Sequence, residues 1–242
     1  MSGSYAELTT QDPNPVKRWI QDRRLADALR FLRSVDIPQG VSVLDYGCGN
    51  GELLRRLTAQ VRSFQAWAYE PAAHLMEEAR KNLEASGAVT LVSSTNSIQP
   101  DSFDVVFCLE VFEHLPPNEI ASVCEEIRRL VRPGGIVVIG VPHEIFLPAL
   151  AKGVFRMLRR YGAFDASPRN VLAAAVGRPP RQRPSYMTRA GFEFHREHLG
   201  FDYRVFSRML REYFVLERTW YSPFASLRSA FNFEVYFLAR KR

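Results

Sequence analysis

Short apolar runs and helical patterns alternate along the first part of this 242-residue chain. Runs rich in Val, Ile, Leu and aromatic residues predict five strands, at 41–46, 65–70, 89–94, 103–110 and 136–141. Apolar residues at helical spacing predict helices between them, at 52–61, 72–86 and 118–131. Strands that alternate with helices predict a parallel, doubly wound α/β sheet, because each crossover returns the chain to the same end of the sheet.

The last part of the chain has a different pattern, because the alternation of strands and helices stops after Pro142. A predicted helix at 203–212 precedes two predicted strands, at 213–220 and 233–240, which no helix separates. Strands joined in this way pair antiparallel, so we expect a hairpin at one edge of the sheet. The predicted fold is α/β: a doubly wound, mostly parallel seven-stranded sheet with an antiparallel edge hairpin and a helical lid insert.

The positive charge of the chain is concentrated in one segment. The net charge is +6, yet residues 143–189 hold nine Lys and Arg against two acids, Glu144 and Asp165, which gives +7 for that segment and −1 for the rest. The basicity therefore belongs to an insert after the fifth predicted strand, and an insert in that place is predicted to cover a ligand pocket.

The bulk composition favours an intracellular protein. No apolar run approaches the roughly 20 residues that a membrane span needs, and the first residues lack the apolar core of a secretory signal. The three cysteines, Cys48, Cys108 and Cys124, show neither metal-ligand spacing nor an even count. We therefore expect a reducing, cytoplasmic location.

A glycine-rich loop follows the first predicted strand. It reads Asp45-x-Gly47-x-Gly49-x-Gly51, whereas a dinucleotide fingerprint requires its third glycine where this chain has Glu52. A carboxylate at the strand end would repel a pyrophosphate but attract a cation. The loop therefore disfavours a nicotinamide oxidoreductase and favours a ligand with positive charge, although a tight turn alone would also use such glycines.

Glu70 ends the second predicted strand, 19 residues after Gly51. An acid in this place can accept hydrogen bonds from both hydroxyls of a ribose. The structural alternative is a solvated acid at a strand end, and the combination with the glycine loop favours the ribose role.

Four motifs in order resemble those of class I S-adenosylmethionine-dependent methyltransferases: VLDYGCGNGELL, AYEPA, FDVVFCLEVFEHL and LVRPGGIVVIGVPH. They resemble the ubiquinone-type O-methyltransferases and the bacterial small-molecule and glycan methyltransferases most. The resemblance spans about residues 40–142, with a weaker echo in 195–240. It implies a Rossmann-like fold and S-adenosylmethionine as the cofactor.

The resemblance also implies the residues that hold the cofactor. The implied residues are Asp45, Gly47, Cys48, Gly49, Gly51, Glu70, Pro71, Thr95, Asn96, Leu109 and Glu110. The family usually carries an acid near the adenine amino group, where this chain has Ser94, Thr95 and Asn96. Asn96 or a backbone group is therefore the expected adenine contact, and Leu109 is expected beside the methionine part.

Glu113, His114 and His198 are the candidate catalytic residues. Methyl transfer to a hydroxyl requires a group that removes the hydroxyl proton. Glu110, Glu113 and His114 follow the fourth strand at i, i+3 and i+4, so a helical turn would place them on one face. His198 is a candidate base or substrate contact.

A divalent metal such as Mg²⁺ is a second way to activate the hydroxyl, with Glu110, Glu113, His114 and His198 as its predicted ligands. The E-x-x-E-H pattern resembles the metal site of small-RNA 2′-O-methyltransferases, in which further histidines come from a later segment. His195 and His198 would be that segment here, and His143 is a further candidate base. In the structural alternative, His114 only bonds to backbone.

Residues 145–164 predict an amphipathic helix with Leu147, Leu150, Val154, Phe155 and Leu158 on one side and basic residues mostly elsewhere. Such a helix can lie on an anionic membrane surface or bind an acidic substrate. Alternatively, it is a lid helix that packs its apolar face on the domain and leaves a solvated basic face.

The whole chain, 1–242, is predicted to form one methyltransferase domain. Its predicted segments are a helical N-terminal part (1–40), the cofactor-binding core (41–142), the basic insert or lid (143–200) and the last helix with the edge hairpin (201–242). Within the first segment, residues 13–33 predict an amphipathic helix with Trp19, Leu25, Leu29 and Leu32 near one face.

The predicted activity is methyl transfer to a hydroxyl of a small or lipid-linked acceptor, which is a sugar, a glycan or a quinone-like molecule. Peripheral membrane contact through 145–164 would suit a lipid-linked acceptor. The alternatives are 2′-O-type or other RNA methylation and a non-catalytic cofactor-binding module. Nucleic acid ranks second, since the chain contains no recognisable RNA-binding module.

Overall fold

The computed structural model describes residues 14–30, 40–60, 64–87, 89–188, 191–227 and 229–242. The helices are α1 (Pro15–Ala28), α2 (Glu52–Gln60), α3 (Ala73–Leu83), α4 (Pro117–Leu130), α5 (Phe146–Arg160), α6 (Pro168–Ala175) and α7 (Tyr203–Tyr213). The strands are β1 (Val41–Tyr46), β2 (Phe64–Tyr69), β3 (Val89–Val92), β4 (Phe103–Leu109), β5 (Val131–Pro142), β6 (Tyr186–Met187), β7 (Glu193–Phe194), β8 (Phe214–Ser222) and β9 (Glu234–Lys241).

Seven strands form one sheet in the order β3-β2-β1-β4-β5-β9-β8, and β6 pairs antiparallel with β7 outside it. Strand β1 pairs parallel with β2 and with β4, and β2 pairs parallel with β3. The sheet is mostly parallel, with antiparallel strands at the β8 edge. The predicted fold class is confirmed.

The strand order reverses between β1 and β4, because the chain first builds outward to β3 and then crosses back to β4. In sheets of this kind, ligands bind beyond the carboxyl ends of the strands at the reversal point. The register sets Asp45, one residue before the end of β1, against Phe107 of β4. The reversal point therefore lies beside the glycine loop.

The central strands are apolar on both faces, as strands covered on both sides must be. Phe107 and Cys108 of β4 and Val137, Val138 and Ile139 of β5 are all fully buried. This core holds the carboxyl ends of β1 and β4 in fixed places. The glycine loop and the turn after Leu109 consequently start from rigid supports.

The fold divides into two compact units. The glycine-loop unit comprises Met1–Leu109, Glu126–Ile139 and Leu238–Arg242, and the histidine unit comprises Glu110–Glu125 and Gly140–Phe237. The predicted cofactor residues up to Leu109 belong to the first unit, and the predicted catalytic residues belong to the second. The single-domain organisation stays a prediction.

Two local predictions need correction. Trp19 was predicted near the same apolar face as Leu29, but Trp19 is 48% exposed, whereas Leu29 is buried; Leu32 lies outside the described residues. Strand β5 begins at Val131 and not at 136, and its exposed first part, 132–134, leads directly into the buried run.

Helix α5 forms as predicted, but four of its five predicted apolar residues are exposed, and of the five Leu150 alone packs against the buried cluster of Ala149 and Val171. Leu147, Val154, Phe155 and Leu158 are exposed, while Ala149 and Gly153 are buried. The alternative in which the apolar side packs on the domain and the basic side is solvated is therefore wrong. None of the helices in the described part of the chain has the length and apolar character that a bilayer span requires.

Candidate active site

Three glycines give the loop after β1 its shape. Gly47, Gly49 and Gly51 have φ angles of 78°, 56° and 76°, in the left-handed region that residues with a Cβ rarely enter. The N–H groups of Gly47 and Cys48 both donate to the carbonyl oxygen of Tyr69, at 2.8 and 3.0 Å. These bonds hold the start of the loop against the end of β2, next to Glu70.

Gly51 serves packing as well as backbone conformation. A Cβ on this residue would lie 2.7 Å from Cδ1 of Leu83, at the end of α3. The third glycine of the loop is thus needed for the close approach of α3. Its role as a direct cofactor contact stays a prediction.

The Glu70 carboxylate bonds to two backbone amides. Its Oε2 accepts from the N–H of Gly49 at 3.0 Å, and its Oε1 accepts from the N–H of Ala72 at 2.9 Å. Burial raises the pKa of Glu70, and the two amide donors oppose that rise. Each oxygen keeps a second lone pair, so the carboxylate retains the capacity to accept from a ligand hydroxyl.

Asp45 is the more strongly perturbed of the two acids. It is 3% exposed, and burial together with the nearby Glu70 raises its pKa to about 8. Two buried carboxylates that disfavour each other's ionisation form a site in which a cation is stabilised. The donor set therefore fits a positively charged ligand.

The other predicted cofactor residues of this unit differ in exposure. Thr95 is buried, and its carbonyl oxygen accepts from Nη2 of Arg129 at 3.0 Å. Asn96 is exposed and its backbone N–H bonds to Oγ of Ser94. Of the remaining predicted contacts, Cys48 is buried, Leu109 is half-buried and Pro71 is exposed.

In the histidine unit, Glu110 has a φ angle of 56°, one of three positive values among non-glycine residues of the described chain. Its backbone N–H donates to the carbonyl oxygen of Gly140 at 2.9 Å. Left-handed backbone at a residue with a long side chain costs about 1–3 kcal/mol, and such strain clusters at functional sites. The turn after β4 therefore aims the Glu110 side chain at an energetic cost.

Glu113 is fully buried, and neither of its carboxylate oxygens has a hydrogen-bond partner in the described structure. Burial raises its pKa well above the usual range, and Glu110 and Glu234 raise it further. An unsatisfied buried carboxyl is expensive and needs a ligand, an ion or a proton. Glu234 was missed by sequence reasoning, because no motif links the start of β9 to the turn after β4.

His114 has its tautomer fixed by the backbone. Its Nδ1 lies 2.7 Å from the carbonyl oxygen of His195, and since a carbonyl only accepts, Nδ1 carries the proton. Its Nε2 is left with a lone pair and lies 3.9 Å from Oε1 of Glu113. His114 therefore bonds to the backbone, as the structural alternative predicted, but its second ring nitrogen has no hydrogen bond to the backbone of the described residues.

The rings of His114 and His198 meet edge to face, with their centroids 4.9 Å apart. Burial lowers the pKa of His198 to about 3, against the opposing effect of Glu110. His198 is therefore neutral at pH 7 and has the form that acts as a base or a metal ligand.

Three of the four predicted metal ligands come together. One ligand atom each from Glu113, His114 and His198 lies within 4.8 Å of the others. Glu110 is not in this set, but its nearby charge raises the pKa of the Glu113 carboxyl. One buried carboxylate and two imidazole rings are a suitable donor set for a divalent ion.

The two other histidine candidates lie elsewhere. His195 pairs its backbone N–H with the His114 carbonyl at 2.8 Å, and its Nδ1 bonds to the carbonyl of Pro184, so it positions His114. His143 is fully buried, with Nδ1 on the carbonyl of Asn232 and no partner for Nε2 among the described residues. Burial, and then Lys152, lower the His143 pKa to about 4.

Arg183 is a second residue that sequence reasoning assigned no role in the site. Its guanidinium donates to the backbone carbonyls of Glu113 and Glu197. Burial lowers its pKa to about 10, against the opposing effect of the neighbouring carboxylates. Its only sequence signal was its place in the basic segment, and the structure gives it a positioning contact to Glu113.

Residues 43–135 match the model of a methyltransferase domain family. The ubiquinone biosynthesis O-methyltransferase of Xanthomonas euvesicatoria is 39% identical over 105 residues, which are 40% of this chain and 41% of the relative. The enzyme of the same name from Paraburkholderia phymatum is 34% identical over 143 residues, 54% of this chain and 59% of the relative. The chain thus matches about two fifths to three fifths of these relatives' length.

Solved structures share the fold over nearly the full chain. The magnesium protoporphyrin IX methyltransferase of Synechocystis has a TM-score of 0.61 at 15% identity, covering 95% of this chain and 88% of its own. The identity is too low to carry more than the fold. Residues 43–135 are thus similar to a methyltransferase domain, and the chain shares the fold of a solved methyltransferase.

Proposed function

We propose that this chain is an S-adenosylmethionine-dependent methyltransferase that methylates a hydroxyl group of a small, quinone-like acceptor. The observation that carries the proposal is the pair of buried carboxylates, Asp45 and Glu70, beside the glycine loop at the reversal point of the sheet. The bound cofactor supplies an electrophilic methyl group on a sulfonium.

The glycine-loop unit binds and orients this cation. Asp45, protonated at neutral pH in the free chain, ionises when a positive group arrives, because the added charge offsets its burial. Glu70 holds the loop through Gly49 and offers its remaining lone pairs to the ribose hydroxyls. The absence of a pyrophosphate pattern at Glu52 separates this ligand from a nicotinamide dinucleotide.

The histidine unit provides the proton acceptor. His198 is neutral because burial lowers its pKa, and the Nδ1 of His114 is bonded to backbone, so its Nε2 is the ring nitrogen placed to take a hydroxyl proton. Glu113 lies 3.9 Å from that nitrogen and stabilises the imidazolium once it forms. These residues hold and move the proton that leaves the acceptor oxygen.

A divalent ion held by Glu113, His114 and His198 would lower the pKa of a bound hydroxyl and so assist the same deprotonation. Two imidazole nitrogens favour a softer ion than Mg²⁺, such as Mn²⁺ or Zn²⁺. The buried, unpartnered oxygens of Glu113 support this assignment.

The acceptor class rests on the relatives. The two curated relatives carry the name ubiquinone biosynthesis O-methyltransferase, and their similarity supports a phenolic hydroxyl as the acceptor group. A 2′-hydroxyl of RNA is the second candidate, because Glu113 and His114 of the E-x-x-E-H pattern cluster with His198 of the later segment, although Glu110 is outside the cluster.

Isothermal titration calorimetry with S-adenosylmethionine and, in parallel, with NADH tests the cofactor. We expect binding of the first alone, and at least a tenfold loss of affinity in Asp45→Asn, which keeps the side-chain size. Glu84→Gln, an exposed acid of the same unit, is the matched control and should bind normally. Binding of NADH, or unchanged affinity in Asp45→Asn, would contradict the proposal.

Transfer of a labelled methyl group separates the acceptors. A prenylated catechol and a short single-stranded RNA are offered with Mn²⁺, with Mg²⁺ and with a chelator. Labelling of the catechol supports the quinone-like acceptor, whereas labelling of the RNA alone would replace it by the second candidate.

A further inference from the structure

The outer face of helix α5 is an apolar stripe without a cover. Leu147, Val154, Phe155 and Leu158 are 49%, 46%, 50% and 83% exposed. Their positions i, i+7, i+8 and i+11 place them on one side of the helix. Apolar surface of this kind normally marks a contact site when it is contiguous.

The orientation of the stripe is fixed by charges on the opposite face. Nζ of Lys152 lies 2.9 Å from Oε1 of Glu144, and Nη1 of Arg156 lies 2.9 Å from its Oε2. Glu144 is fully buried, so turning the apolar stripe inward would leave this carboxylate without its cations. The outward stripe is therefore part of the stable fold and not a loosely packed surface.

Helix α6 packs closely beside α5. A Cβ on Gly153 of α5 would lie 2.4 Å from Cγ1 of Val171 of α6, so glycine permits the contact. On the exposed side of α6 lies Leu172, and Val176 follows directly after the helix; they are 59% and 68% exposed. We call the exposed apolar residues of α5, together with Leu172 and Val176, the α5–α6 face.

The charge that accompanies this face is entirely positive. Asp165 is 1% exposed and pairs with Arg160 at 2.6 Å, and Glu144 is neutralised as described. The exposed Arg159, Arg169 and Arg178 form no ion pair with any described residue. Between 143 and 188 the only acids are thus buried and paired, while free guanidinium groups flank the apolar residues.

We propose that the α5–α6 face docks on the surface of an anionic lipid bilayer. Apolar residues of an interfacial helix enter the boundary of the acyl chains, and flanking guanidinium groups pair with anionic headgroups. A second copy of the chain suits the face less, since its unpaired arginines would meet the same charges. The proposal goes beyond the proposed function, because docking requires neither cofactor nor acceptor.

Co-sedimentation of the full chain with vesicles, without cofactor, tests the docking. One vesicle set contains phosphatidylcholine alone and the other adds phosphatidylglycerol. We expect at least about tenfold stronger binding to the anionic set, and a loss of at least about tenfold in the double variant Phe155→Gln with Leu158→Gln. Val205→Gln, an exposed apolar residue of α7, is the matched control and should bind as the unaltered chain does.

A second variant checks the electrostatic part. Arg159→Gln with Arg169→Gln should weaken binding to anionic vesicles and reduce its dependence on salt. The proposal is overturned if the unaltered chain does not sediment with vesicles, or if Phe155→Gln with Leu158→Gln binds fully. It is also overturned if sedimentation velocity shows that this double variant only separates a dimer, or if a short RNA binds the face in place of vesicles. The calorimetric test of the cofactor is unaffected by each of these outcomes.

Discussion

Oε2 of Glu70 accepts a hydrogen bond from the backbone N–H of Gly49 at 3.0 Å. The bond links the end of β2 to the middle of the glycine loop, so the acid that is proposed to bind the ribose also shapes the loop. Two sequence signals that were predicted separately, the glycine spacing and the acid 19 residues later, are one structural unit.

The first prediction concerns this link. In Glu70→Gln the amide side chain has one acceptor oxygen, so it cannot serve both Gly49 and Ala72. We expect roughly tenfold weaker binding of S-adenosylmethionine, about 1.4 kcal/mol, with a cooperative unfolding transition retained. Calorimetric titration measures the affinity, and thermal unfolding shows whether the transition is cooperative. Unchanged affinity would show that Glu70 acts on neither the loop nor the ligand.

The second prediction concerns pH. Asp45 has a pKa of about 8 against a usual 3.8, so the folded chain holds a proton that the unfolded chain has lost in that interval. Its contribution to the free energy of unfolding therefore falls as the pH rises from about 4 to about 8. A cationic ligand binds the ionised form, so binding near pH 7 should release a proton.

Titrations in buffers of different ionisation enthalpy count the released protons. We expect a release of up to one proton at pH 7 in the unaltered chain and a clearly smaller release in Asp45→Asn. Equal release in both would show that another group, and not Asp45, supplies the proton.

The third prediction separates the roles of the histidines. His198→Ala and His114→Ala should each lower kcat by about 100-fold or more, because each removes an imidazole from the proposed proton-transfer cluster. Titration with Mn²⁺ then shows whether each histidine acts as a base or as a metal ligand. Loss of a ligand weakens metal binding, whereas loss of a base alone does not. Glu193→Gln, an exposed acid of the same unit, is the control. Full turnover in both histidine variants would reject the assignment.

Much of the fold could be predicted because its signals are local. Strand β1 was predicted at 41–46 and forms there, since an apolar run ends at a glycine loop that forces the chain to turn. The burial of the first helix was harder to predict, because an apolar pattern identifies a face of a helix but not what covers that face. Trp19 lies on the predicted face and is nevertheless exposed.

Helix α5 shows the same limit more sharply. Its stripe was visible in the sequence, but its orientation depends on Glu144 and Asp165, whose burial requires Lys152 and Arg156 on the inner face. The candidate site was likewise predictable where motif spacing is local, as for Glu113 and His114. Glu234 and Arg183 were not, because only the folded chain brings them near Glu113.

The fourth prediction tests the charges that orient α5. Arg156 pairs with Glu144 at 2.9 Å and with Asp165 at 3.3 Å, and both acids are buried. Arg156→Met keeps the apolar stem but removes the charge, so we expect the free energy of unfolding to fall by about 3–5 kcal/mol.

Arg159→Met is the matched control for this variant, since Arg159 lies on the same helix, is exposed and pairs with no described acid. It should change the free energy of unfolding by less than about 0.5 kcal/mol. Urea unfolding measures both variants. Because removing one partner leaves Glu144 and Asp165 short of a cation, a small effect in Arg156→Met would mean that Lys152 and Arg160 neutralise both acids alone. The outward position of the apolar stripe would then need another cause.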